Sequence, residues 1–345
     1  MNITILAALA MTTDIETRLT AGRDAALQCE SAIAIAMITP EGRAQLSNGK
    51  AISAATPLRT ASATKTVTAA AALRLVEQGR LDLDAPIADR LDPALTDILE
   101  GDGYDPGAMT LRQLLSHSAG LYSHAEDPRY APAVFADPDH RWTVHEQVAL
   151  MADYGDPVGA PGEKFEYSDT GYVLVGNMIE RATRLPLAAA VRDLLDLDDL
   201  RLRESWWDVF EADRARRGRQ HVGGEDVTDV HGSADAFGGG GLVMSMRDLA
   251  TLFRAINEGR LFENAETLEA MRWQGEHENA DRYRLGLFAN TNPDGNTSWS
   301  HSGFWGVLAL HQPHTGLTIA GATDEQSDFR CLVGAMRAAS HATTD

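Results

Sequence analysis

Eight of the thirteen prolines fall between residues 86 and 161, at Pro86, Pro93, Pro106, Pro128, Pro132, Pro138, Pro157 and Pro161. Proline lacks a backbone N–H and clashes with the preceding helical turn, so this span must be short helices joined by long connections. Thr110 caps one such helix through Leu115, and residues 172–184 suit another, with Val173, Val175, Gly176 and Ile179 available for packing. The flanks read differently. Residues 13–29 suit a helix with Ile15, Leu19 and Leu27 inward, and residues 32–38 read as a strand. Pro40-Glu41-Gly42 is a turn, and 43–47 with Asn48-Gly49 suggests a hairpin continuing toward Pro57 and Ala61. After Ser62, Val67, Ala70, Ala71 and Leu75 recur at helical spacing, and Gly79 is placed to end that helix.

Near the other end, residues 304–311 and 317–323 are apolar runs joined by a turn, and a last helix covers about 328–339. The expected fold is mixed α/β: an antiparallel sheet built from both ends of the chain, flanked by N- and C-terminal helices, with a mainly helical region inserted. The expected boundaries are one domain over 12–340, with 12–85 and 236–340 as the α/β part and 86–235 as the helical part. Segment 1–11 has no assigned role. Its apolar stretch ends in Ala8-Leu9-Ala10, but no Lys or Arg precedes it and it is short for a signal peptide, so the compartment stays open.

Charge removes several function classes. With 30 Lys+Arg against 50 Asp+Glu, the formal charge of -20 repels nucleic acid and anionic lipid. It serves solubility and also suits cationic substrates. No stretch reaches the ~18 apolar residues of a membrane span. Cys29 and Cys331 are too few for a disulfide framework or a cysteine-only zinc site, and they read as buried and reduced unless the terminal helices pack together. Oligomeric state is not legible.

Several motifs can be set aside. His311-Gln312-Pro313-His314 lacks a third ligand and falls in an expected turn, and no His-Glu-x-x-His occurs, so no metal or other cofactor is expected. Gly238-Gly239-Gly240-Gly241 has no following Gly-Lys-Ser/Thr, so close backbone packing explains it better than phosphate binding. Trp206-Trp207 reads as a packing anchor, and Arg214, Arg216, Arg217 and Arg219 as a solvated face without function. In Ser116-His117-Ser118-Ala119-Gly120 a serine stands where the nucleophile elbow needs its first glycine, and Ser118 follows a helix rather than a strand.

Ser62-Ala63-Thr64-Lys65 has better company. A serine opening a helix serves as its cap, yet the three-residue offset also brings Lys65 onto the same face. Tyr167-Ser168-Asp169 and His301-Ser302-Gly303 add a phenol and an imidazole from two separate segments. This set, in this order, resembles the serine β-lactamase-like family, which includes class C β-lactamases, penicillin-binding proteins, related esterases and D-amino-acid amidases. The segments Leu114 to Leu121, Glu166 to Tyr172 and Gly240 to Leu249 resemble the same family, so the likeness covers roughly residues 15–339.

The resemblance implies acylation of Ser62, with Lys65 and Tyr167 moving the proton as a coupled pair, His301 in the catalytic set, and the backbone N–H groups of Ser62 and Phe304 holding the oxyanion. Asp169, Ser302 and Gly303 would then face substrate. Two departures bear on specificity. His301 replaces the lysine of the Lys-Thr-Gly motif, which weakens recognition of a substrate carboxylate and favours esters or amides over β-lactams. Asp169 replaces an asparagine and cannot donate when ionised. It either pairs with Lys65, caps a turn, or binds a substrate ammonium. The expected activity is a serine hydrolase of small esters, amides or short peptides. A D-amino-acid amidase, D-aminopeptidase or DD-peptidase is the alternative, and a penicillin-sensing module that acylates without turnover is the alternative outside catalysis.

Overall fold

The computed structural model describes residues 3–341, with side chains from residue 15 onward; Met1 and Asn2 of the 1–11 segment lie outside the described residues. Helix α1 (Ile3–Ala26) precedes strands β1 (Ile33–Ile38), β2 (Arg43–Ser47) and β3 (Leu58–Arg59). A 3₁₀ turn at Ala61–Ala63 leads into α2 (Thr64–Glu77). The proline-rich span forms α3 (Pro93–Gly101), α4 (Leu111–Leu115), α5 (Tyr130–Ala136), α6 (Val144–Tyr154) and, beyond its last proline, α7 (Asp169–Thr183) and α8 (Leu187–Leu194). Then come β4 (Ser205–Trp207), β5 (His221–Val222), β6 (Glu225–Asp226), β7 (Leu242–Met244), α9 (Met246–Asn257) and α10 (Ala265–Met271). Strands β8 (Phe288–Thr291), β9 (Thr297–Gly303), β10 (Val307–Gln312) and β11 (Leu317–Thr323) precede α11 (Phe329–His341).

The main sheet has the order β2-β1-β11-β10-β9-β8, so strands from the two ends of the chain meet at its centre. There β1 pairs antiparallel with β11, Ile35 opposite Gly321. Strand β1 is buried on both faces, and its period-two side chains feed two cores. Ile33, Ile35 and Met37 pack toward the α1 and α11 side with Leu332 and Met336, whereas Ala34, Ala36 and Ile38 join the core around α2 and α9. The hairpin expected to run on toward Ala61 instead leaves this sheet, because β3 pairs with β7 in a separate three-stranded sheet.

Helix α2 is buried from Thr64 to Leu75, not along one face only. Its run of four alanines lets α7, α8 and α10 approach from several sides. The fully buried Trp206 and Trp207 act as the anchors expected, with Trp207 Nε1 donating to the Ala236 carbonyl at 2.8 Å. Close packing also accounts for the glycine run, since a Cβ on Gly241 would lie 2.2 Å from Trp207 Nε1.

Three local expectations change. Leu27 is 57% exposed, because α1 ends at Ala26 and the chain turns away. His311 lies within β10 and bonds Thr318 Oγ1 through Nδ1 at 2.8 Å. Arg217 is not simply solvated: its guanidinium donates to Asp208 Oδ2 at 2.8 Å, beside the buried Arg59, which reaches the same oxygen at 2.7 Å.

The cysteines correct a further reading. Cys29 and Cys331 form a disulfide, because α1 and α11 pack side by side and carry their ends together. The bridge closes a sequence separation of 302 residues, a long loop whose closure restricts the unfolded chain. Reduction should therefore cost about 2–5 kcal/mol of stability. Thermal unfolding with and without a phosphine reductant measures this, and an unchanged Tm would show that the bridge contributes nothing. Among the described residues, no helix is long and apolar enough to cross a membrane.

Candidate active site

Ser62 sits in the 3₁₀ turn, half-buried, and does not cap α2 with its side chain. Ala61 beside it has φ +43°, a left-handed conformation that alanine adopts at a cost. One turn later, Lys65 is fully buried and its Nζ donates to Ser62 Oγ at 2.9 Å. The same Nζ donates to the Gly239 carbonyl at 2.8 Å and to Asp169 Oδ1. The second carboxylate oxygen of Asp169 accepts from Ser123 Oγ at 3.5 Å. Asp169 thus pairs with the lysine, the first of the three roles considered for it. Burial alone would lower the Lys65 pKa, but the carboxylate of Asp169, together with Tyr167 and Asp235, outweighs it and raises the lysine above its ordinary value.

Tyr167 approaches from the start of α7. Its hydroxyl is in hydrogen-bond contact with Ser62 and Lys65, and Lys65 Nζ lies 5.2 Å from its ring centroid. Burial raises the phenol above its usual pKa; Lys65 opposes this and Asp169 adds to it. Behind Tyr167 lies His117, 2% exposed, with ring centroids 4.2 Å apart. His117 Nδ1 accepts the Ser168 N–H at 3.1 Å, while its Nε2 has no hydrogen-bond partner among the described residues. The sequence placed His117 in a motif without giving it this position.

His301 is 1% exposed and both ring nitrogens are occupied. Nδ1 donates to the Ser302 carbonyl at 2.8 Å, leaving Nε2 to accept from the Tyr283 hydroxyl, also at 2.8 Å. Burial, followed by the Lys65 charge, pushes its pKa down to about 3, so the ring is neutral. His301 was expected in the catalytic set; in this geometry both of its ring nitrogens are taken and it holds β9 against Tyr283. Ser302 is half-buried and spends its carbonyl on that ring.

Gly303 marks the closest approach of β9 to the serine turn. A Cβ there would stand 2.0 Å from the Thr60 carbonyl oxygen. Phe304 follows Gly303 and lines the same cleft as Ser62, and among the described residues neither the Ser62 nor the Phe304 N–H donates to a backbone carbonyl in a turn, loop or cap. Two free donors next to a nucleophile can stabilise an oxyanion. Phe304 itself is 46% exposed and stacks edge-on against Trp305 at 4.9 Å.

Ser62 opens onto a cleft that the sequence did not reveal. Its apolar wall includes Tyr130, Val134, Phe135, Phe304 and Trp305, and its acidic groups are Glu126, Asp169 and Asp235. Burial and the neighbouring Asp169 push Asp235 up to about 7, against the opposing pull of Lys65 and Arg59. Glu126 is also raised, by burial and then by Asp169. Among the described residues only Asp169 of the three pairs with a cation. Nothing in the isolated sequence separated Glu126 and Asp235 from the other acidic residues.

A lysine-bonded serine, a tyrosine and two free backbone donors, set between a mixed sheet and a helical region, define a serine hydrolase of ester or amide bonds. A profile for the beta-lactamase family matches residues 7–341, and the chain belongs to that family. It is 28% identical over 323 residues to the lovastatin esterase of Penicillium rubens, covering 81% of this chain and 78% of that one. Esterase EstB of Burkholderia gladioli is 36% identical over 180 residues, half of this chain and 44% of its own length. The solved D-stereospecific amidohydrolase from Streptomyces sp. superimposes with a TM-score of 0.80 at 27% identity, over 93% of this chain and 98% of that one. The D-amino acid amidase of Ochrobactrum anthropi SV3, at 20% identity, TM-score 0.76 and 95% and 98% coverage, shares the fold.

Proposed function

We propose that this enzyme hydrolyses amides and esters of amino acids with apolar side chains, through an acyl-enzyme on Ser62. Ser62 is the nucleophile, Lys65 and Tyr167 handle its proton, and the N–H groups of Ser62 and Phe304 receive the oxyanion. One observation carries the substrate class. The cleft holds three carboxylates beside the nucleophile, and Asp169 alone is neutralised, by Lys65. Glu126 and Asp235, both raised and without an ion-pair partner among the described residues, are carboxyl groups that a ligand ammonium would draw into the charged form, while a substrate carboxylate is disfavoured. Tyr130, Val134 and Phe135 supply an apolar wall for the side chain. Similarity to the Streptomyces amidohydrolase favours the D enantiomer.

The test is a steady-state panel of D- and L-phenylalanine anilides, an uncharged nitrophenyl ester and a chromogenic cephalosporin, on the wild type, Asp235→Asn and Glu126→Gln. A hydrogen bond to a charged group contributes ~1.5–3 kcal/mol, so each substitution should lower kcat/KM for the anilide by ~10–100-fold. The uncharged ester should change less than about threefold. Equal losses on both substrates would refute ammonium recognition. A single product equivalent per protein would instead indicate a sensor that stays acylated.

A further inference from the structure

We infer that Gln220 is a positioning residue of the oxyanion site: its buried side chain ties the strand that leads into Ser62 to the turn that carries the Phe304 N–H. This rests on the reading of the Ser62 and Phe304 N–H groups as the oxyanion donors. The two donors belong to segments far apart in the chain. Among the described residues, no backbone hydrogen bond joins residues 57–63 directly to residues 299–306, since β3 pairs with β7 while β9 pairs with β8 and β10. Their separation must be fixed by other contacts.

Gln220 lies just before β5 and is 3% exposed. Its Oε1 accepts the Arg59 N–H at 2.9 Å, and its Nε2 donates to the Arg59 carbonyl at 3.2 Å and to the Trp305 carbonyl at 3.1 Å. Both donors of the carboxamide and its oxygen are thus in use. Turning the amide over would set its oxygen against two carbonyls, so its orientation is fixed as well. The glutamine is itself held from behind: its N–H donates to Thr228 Oγ1 at 2.9 Å, and its carbonyl accepts the Val227 N–H at 3.0 Å. Arg59 adds a second link, with its guanidinium 5.8 Å from the centroid of the Trp305 ring.

Steric contact sets the opposite limit. A Cβ on Gly303 would stand 2.0 Å from the Thr60 carbonyl oxygen, so the two segments already touch and cannot move closer. Gly303 is the stop and Gln220 the tie. At the end of β9 the Gly306 N–H donates to the Gly303 carbonyl at 3.1 Å, which makes Phe304 and Trp305 the two central residues of a tight turn. Holding the Trp305 carbonyl therefore limits how far the Phe304 N–H can swing away from the serine turn. A misplacement of about 1 Å is enough to cost ~10²-fold in rate where donors are preorganised.

Two variants test this, and Gln220 is outside the cleft lining, so neither alters the walls that substrate meets. Gln220→Glu keeps the volume and the acceptor for the Arg59 N–H but, once ionised, has no donor; Gln220→Leu removes all three bonds. Each folded variant should lower kcat for the nitrophenyl ester by about 10–100-fold, with KM within a few-fold, and should weaken binding of a boronic acid that mimics the tetrahedral intermediate by a similar factor. A glutamine that serves stability alone would lower Tm and leave the boronate affinity of the folded protein intact, which would overturn the inference. Gly303→Ala separates the inference from the reading it rests on. Boronate affinity lost in Gly303→Ala but kept in both Gln220 variants sinks the tie alone; affinity kept in all three sinks the oxyanion assignment and the tie with it. If neither Gln220 variant folds, a crystal structure of the wild-type boronate adduct decides. A boronate oxygen bonded to both N–H groups, with Gln220 still bonded to Arg59 and Trp305, supports the tie, and a Gln220 side chain released from Trp305 in that adduct overturns it.

Discussion

Ser62→Ala is expected to eliminate turnover of every substrate in the panel, lowering kcat/KM by at least ~10⁴-fold, and to abolish labelling by a fluorophosphonate probe. The size follows from the site: Ser62 Oγ accepts from the buried Lys65 Nζ at 2.9 Å and contacts the Tyr167 hydroxyl, so the substitution removes the oxygen proposed to bond carbon. Stability should change little, because Ser62 is half-buried and makes no side-chain cap to α2. The competing serine has no comparable setting. Ser118 is 1% exposed and its hydroxyl pairs with Ser116 Oγ at 3.0 Å, with no amine or phenol bonded to it among the described residues. Peptide mapping of the labelled protein decides between them: a label on Ser118 that survives Ser62→Ala would overturn the assignment.

Local signals carried much of the site because short-range chemistry fixes it. Ser62 and Lys65 meet one turn apart, a consequence of helix periodicity readable from four residues. The Thr110 cap was legible for the same reason, and the structure completes it as a capping box with Gln113. Groups brought in by long-range packing were not legible. Glu126 reaches the cleft from the connection between α4 and α5 and Asp235 from the segment between β6 and β7, and no periodicity marks them. His301 shows the opposite failure. The motif singled it out, but a role for its ring depends on Tyr283, 18 residues away, which takes its Nε2. The cysteines failed for want of a distance: their sequence separation of 302 says nothing about two helices lying side by side. β3 departed from the expected hairpin because its partner, β7, lies almost two hundred residues later, beyond any local turn signal.

The second large effect is expected from a single methyl group. In Gly303→Ala the new Cβ would stand 2.0 Å from the Thr60 carbonyl oxygen, 2.9 Å from its carbon and 3.1 Å from the Ala61 Cβ. The first two contacts are backbone atoms, so neither can be relieved by rotating a side chain. Either β9 or the serine turn must shift. Arg59 and Thr60 hold the turn firmly, through the Arg59 bond to Asp208 at 2.7 Å and the Thr60 Oγ1 bond to the Leu242 carbonyl at 2.8 Å. The end of β9 should therefore move outward and carry the Phe304 N–H away from Ser62. Losing one oxyanion donor typically costs ~10²–10³ in kcat. The strain should also cost ~1–3 kcal/mol of stability, as overpacking does. These two effects separate in measurement. A boronic acid that mimics the tetrahedral intermediate should lose affinity roughly in step with kcat, while KM for the nitrophenyl ester stays within a few-fold, because the cleft walls at Tyr130 and Val134 are untouched. If kcat falls while boronate affinity holds, the Phe304 N–H is not part of the oxyanion site; if kcat is unchanged in a folded variant, the close approach of β9 to Thr60 has no catalytic purpose.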